Sequence, residues 1–68
     1  MDISIRGYIK NNFKDSSVDE IGEAIESSIK SGEEEALPGM GVLFEFLWQN
    51  SSNDEKKMFL DKIHNGLK

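Results

Sequence analysis

Cysteine is absent from this 68-residue chain. That excludes disulfide staples and thiol chemistry, and it suits a reducing compartment. Histidine occurs once, at His64, which excludes a metal site built on several imidazoles. Positive charge is scarce: eight Lys and Arg stand against 13 Asp and Glu, for a net charge of −5. A chain of that sign is repelled by phosphate backbones, so no nucleic-acid partner is expected. No apolar run approaches the roughly 20 residues that span a bilayer, and no membrane contact is expected. The first ten residues (MDISIRGYIK) contain Asp2 and Arg6 and lack the apolar core of a signal peptide, so the protein is expected to stay in the cell that makes it. Length is limiting too. Residues 1–68 make a single small domain, and a chain this short buries only about 60% of its unfolded surface. Homo-oligomerisation is one ordinary remedy for such marginal stability.

What the chain does contain is helical patterning. Ile5, Tyr8, Ile9 and Phe13 fall on one helical face, predicting a first helix over about 3–13 with Asp2 as its N-cap. Met1, Ile3 and Ile5 also alternate, so a short strand competes for the same residues. Arg6, Lys10 and Lys14 lie four apart and form a basic stripe, read as a solvated face turned toward the carboxylates of the second helix. That second helix has sharp punctuation. Ser17 and Glu20 fit a capping box, Val18, Ile21, Ile25 and Ile29 follow at helical spacing, and Gly32 suits a left-handed stop. The short gap between the first two helices predicts an antiparallel hairpin. Glu33, Glu34 and Glu35 read as a solvated acidic turn, because consecutive side chains do not converge on one cation. Ser52 and Glu55 form a second capping box, which opens a helix with Phe59, Leu60, Ile63 and Leu67 inward and a terminus at Asn65-Gly66.

Between these lies the stretch around which the rest is arranged. Seven of the nine residues from Met40 to Trp48 are large and apolar, and Glu45 is the only charge among them. A helix over about 38–50 with that composition is apolar nearly all round and must be covered from several sides. The expected fold is therefore all-α: a small bundle of four short helices packed around an apolar central helix. Gly41 reads as a place where another backbone or a bulky ring comes close. Three amphipathic stripes cover about three sides, which leaves two outcomes open. One chain covers its own central helix, or a two-fold homodimer closes the surface through Met40, Gly41, Phe44 and Trp48. A helical adaptor that receives a partner helix on the same surface is the competing class of function, and a nucleoid-binding protein is a third, supported only by the basic stripe.

No catalytic constellation accompanies this surface. The pairs Ser16-Ser17 and Ser51-Ser52 are explained as helix caps rather than nucleophiles, and Asp61 with His64 at i,i+3 is read as surface. The residues give no catalytic, cofactor-binding or metal-ligating set, and the expectation is a protein that is not an enzyme and carries no cofactor.

One resemblance narrows the function. Ser31-Gly32-Glu33-Glu34, Leu37-Pro38-Gly39, Gly41-Val42-Leu43-Phe44-Glu45 and Trp48-Gln49 together resemble the minor small acid-soluble spore proteins of type I from spore-forming Firmicutes. The start of the chain and its end at Gly66-Leu67-Lys68 look like the same family. The resemblance implies a protein made in the forespore and stored in the spore core, without enzymatic activity; a role in spore properties or outgrowth and an unidentified protein partner in the spore are expected beside it. It does not imply DNA coating, which belongs to the unrelated major alpha/beta-type spore proteins. Acid solubility has a plain physical reading. Near pH 2 the carboxylates are neutral, and about ten positive charges remain from Lys, Arg, His64 and the amino terminus.

Overall fold

The structure, a computed structural model, describes residues 4–68. They form α1 (Ile5–Phe13), α2 (Val18–Ser31), a single 3-10 turn (Glu34–Ala36), α3 (Leu37–Gln49) and α4 (Asn53–Gly66), with no strand among the described residues. The all-α expectation holds.

The helix ends follow from short-range hydrogen bonding. At α2 the Ser17 amide donates to Glu20 Oε1 at 2.8 Å, and the Glu20 amide donates to Ser17 Oγ at 3.1 Å. At α4 the Ser52 amide donates to Glu55 Oε1 at 2.8 Å, and the Glu55 amide donates to Ser52 Oγ at 3.2 Å. Each box satisfies donors that the first helical turn leaves without partners. α2 stops at Gly32, whose backbone is left-handed with a φ of 66°. That conformation costs residues with a Cβ and costs glycine nothing. α3 stops where Asn50 Nδ2 donates to the Phe46 carbonyl at 2.8 Å and Ser51 Oγ to the Leu47 carbonyl at 2.5 Å.

Several expectations are corrected. The cap of α1 is Ser4, whose hydroxyl accepts from the Gly7 amide at 3.1 Å. Asp2, expected in that role, lies outside the described residues, as do Met1 and Ile3 of the competing strand; Ile5 itself is helical. α4 ends at Asn65-Gly66 as expected, without a left-handed glycine. Gly66 remains helical, and the Leu67 amide donates back to the Ile63 carbonyl at 3.1 Å. The three glutamates are exposed, as expected of a solvated acidic turn, and Glu34 and Glu35 belong to the 3-10 turn that leads into α3. The first two helices do not zip into a hairpin. α1 packs instead along α3, because α3 offers the larger apolar surface.

Gly39 makes that packing close. A Cβ built there would lie 3.1 Å from Ile9 Cδ1, tighter than ordinary contact. At Gly41 a Cβ would meet nothing within 4 Å. The place of close approach within the chain is therefore Gly39, not Gly41.

Val42 is the one buried apolar residue among those described, 6% exposed. Phe13, Ile21, Ile25, Met40, Leu43, Phe46 and Trp48 are half-buried. The chain is open for its size. Its radius of gyration is 13.2 Å. A compact domain of this length would have about 11 Å.

Candidate interaction surface

α3 has two unlike sides. One carries Gly39 against Ile9, together with buried Val42 and half-buried Phe46. The other carries Leu37, Met40, Phe44 and Leu47, spaced 3-4-3, which keeps them in one row along a helix. Leu37 is 63% exposed, Phe44 41% and Leu47 44%. The Phe44 and Trp48 rings stack with centroids 5.9 Å apart and planes 29° apart. Lys56 Nζ sits 5.2 Å from the centre of the Trp48 ring and ties the start of α4 to the end of α3 by a cation–π contact.

Phe44 stands between two open clefts. The larger, about 600 Å³, runs between α1, α2 and α3; Phe13, Ile21, Ile25, Met40, Leu43, Phe44, Phe46 and Leu47 line it, and Lys10 and Lys14 supply its only charged groups. The smaller, about 420 Å³, is bounded by Arg6, Phe44, Glu45, Trp48, Gln49 and Leu60. The larger cleft is apolar because it is the uncovered flank of α3 facing the inner stripes of α1 and α2. Nothing in it resembles a reaction centre.

The basic stripe divides. Arg6 Nε donates to Glu45 Oε1 at 2.6 Å. Arg6 Nη2 donates to Glu45 Oε2 at 2.7 Å. The result is a bidentate pair that crosses from α1 to α3. This corrects the expectation that the stripe faces the carboxylates of α2. Glu45, the lone charge in the apolar run, is the partner because α1 packs on α3. The hydrogen bonds from Arg6 hold the Glu45 carboxyl below the usual carboxylate range and raise the Arg6 guanidinium. Glu20 is also lowered, first by the backbone hydrogen bond from Ser17 and then by the Ser17 hydroxyl. Lys10 and Lys14 stay on the cleft rim.

Of the residues named as an interface, Met40 and Phe44 share the larger cleft, and Phe44 and Trp48 share the smaller. Gly41 lies in neither, on an open part of α3. Leu37 and Leu47 were missed, although the 3-4-3 spacing that finds them is present in the sequence. Asp61 and His64 are exposed on the second half of α4, and no group of three or more metal-ligating side chains occurs among the described residues. No described helix is long and apolar enough to cross a membrane.

Comparison with known proteins gives a consistent result. The family described as "Small, acid-soluble spore protein I" matches residues 3–67. Proteins of that description from Bacillus cereus (strain G9842) and Bacillus mycoides (strain KBAB4) are each 43% identical over all 68 residues, covering 99% of the relative's length. One from Bacillus anthracis (strain A0248) is 41% identical over the same span. No solved structure matches.

Proposed function

The chain belongs to the small, acid-soluble spore protein I family, and we propose that it is a non-enzymatic protein of the forespore and spore core, where it contributes to spore properties or outgrowth. The observation that carries this reading is the use of its polar side chains. The hydroxyls of Ser4, Ser17 and Ser52 accept amides at helix starts. Those of Ser31 and Ser51 donate to carbonyls at helix ends. Glu20 and Glu55 complete the caps, and Glu45 holds Arg6. These serines and glutamates hold helices in place instead of standing free as nucleophiles or general bases. The surface left over is apolar, which favours contact with another protein surface over a small polar substrate.

Two measurements test the reading. Mass spectrometry of dilute-acid extracts from purified spores is expected to find the intact chain, and a fluorescent fusion expressed from its own promoter is expected to light the forespore alone. Signal in the mother cell or the coat fraction overturns the location. Turnover of esterase, phosphatase or peptidase substrates that Ser17→Ala or His64→Ala abolishes overturns the absence of catalysis.

A further inference from the structure

We propose that the uncovered row on α3 is the contact surface for a second copy of this chain, packed antiparallel and two-fold, α3 against α3. Such a contact goes beyond the proposed role in the spore and does not depend on it.

Area points to a missing cover. The chain exposes 5974 Å² at a mass of 7.7 kDa. A compact monomer of that mass exposes about 4,300 Å². The excess, on the order of 1,600 Å², is more than the roughly 800 Å² that each partner of a standard interface buries. Pattern points to a helix as the cover. Leu37, Met40, Phe44 and Leu47 repeat 3-4-3, the spacing that keeps a seam facing a partner helix. They lie away from Val42, so the seam is additional to the chain's own core rather than part of it.

Charge selects the geometry. Two copies at −5 each repel overall, so a workable contact must be neutral where they meet. The four seam residues are apolar, and Glu45 beside them is paired with Arg6. The charges on the cleft that Met40, Phe44 and Leu47 line are Lys10 and Lys14, opposite in sign to the net charge of a second copy. Direction follows from what flanks the seam. Glu34 and Glu35 stand at the start of α3, while Lys56 lies over Trp48 near its end. Parallel packing would bring the two acidic starts together. Antiparallel packing separates them and brings each toward the other copy's Lys56. In that register the two-fold axis passes near residue 42, Leu37 meets the other copy's Leu47, and Met40 meets its Phe44. Gly41 beside the seam, with open space where a Cβ would be, lets the helices approach.

Sedimentation equilibrium across a concentration series tests this on the full chain. The wild type is expected at twice the chain mass. Leu37→Lys and Leu47→Glu each place a charge opposite a leucine, and each is expected to weaken dimerisation by roughly 100-fold. Both residues are exposed in the single chain, so helicity by circular dichroism is expected to persist. Mixing the two variants one to one restores a dimer, because one end of the seam then pairs Lys with Glu and the other keeps Leu with Leu. If either variant unfolds on dissociating, regained helicity in the mixture reports the same rescue. A monomeric wild type at the highest concentration overturns the proposal. So do single variants that remain dimeric, or a mixture that stays monomeric.

Discussion

α2 and α3 are nearly equal in length, 14 and 13 residues, and different physics makes each of them helical. α2 carries a complete capping box, acidic residues in its first turn, Lys30 in its last and a left-handed glycine at its end. Every one of those features acts over three or four residues. α3 has none of them. Its N-cap position is Ala36, already helical and without a side-chain bond. It also contains two glycines, each of which costs up to about 1 kcal/mol relative to alanine. What holds α3 is distant in sequence: Ile9 against Gly39, burial of Val42, and Arg6 on Glu45. Local signals build α2, and tertiary contact, chiefly with α1, sustains α3.

The largest expected effect breaks that contrast at its tertiary end. Val42→Ala removes packed volume from the most buried position and is expected to cost about 1–3 kcal/mol. Phe44→Ala, at a site 41% exposed, is expected to cost the single chain less. Urea titrations followed by circular dichroism at low protein concentration rank the two. A larger loss for Phe44→Ala would place the core on the other side of α3.

At the local end, Ser17→Ala and Ser52→Ala are each expected to cost about 1 kcal/mol. The loss should appear as faster amide exchange in the first turns of α2 and α4, with α3 protected as before. Uniform loss across all helices would mean that the caps support the bundle rather than their own helices.

The two glycines of α3 sharpen the comparison further. Gly41→Ala adds helix propensity in open space and is expected to raise stability by up to about 1 kcal/mol at low protein concentration. Gly39→Ala gains the same propensity but forces the tip of Ile9 to move, so its melting temperature is expected to lie below that of Gly41→Ala. Equal melting temperatures would deny close packing of α1 on Gly39.

The smallest effect is electrostatic. The Glu45 and Glu20 carboxyls have folded-state pKa values below the ordinary 4.5, held down first by the hydrogen bonds from Arg6 and from the Ser17 backbone. Depressed carboxyls stabilise the fold above the unfolded value, and that contribution is lost as pH falls from about 4.5 through the folded values. Acid titration of helicity should therefore show a decline in that window, shallower in Glu45→Gln. An identical slope in the variant would remove the Arg6–Glu45 pair from the account. In dilute acid both this pair and the caps weaken, so solubility there rests on net positive charge rather than on the fold.

Much of the fold is legible in the residues because the signals for helix ends are short. Ser17 with Glu20, Ser52 with Glu55, and Gly32 each reveal a boundary through neighbours at most four positions away. Ser4 does not stand out because Asp2 is an equally good cap type two residues earlier, and only the hydrogen bond to the Gly7 amide singles out the serine. The candidate surface is half legible. Met40, Phe44 and Trp48 stand out by size, whereas Leu37 and Leu47 need the row to be seen as one side of a helix.

By itself the sequence determined that the chain forms four helices and that the third is apolar. Only the tertiary structure decided that Arg6 binds Glu45, 39 positions away, that Ile9 lies against Gly39, and that Val42 is buried while Leu37, Phe44 and Leu47 are left uncovered. The physical reason lies in α3 itself. A helix with one apolar stripe states which side faces inward, but a helix that is apolar nearly all round has no preferred side until its neighbours arrive.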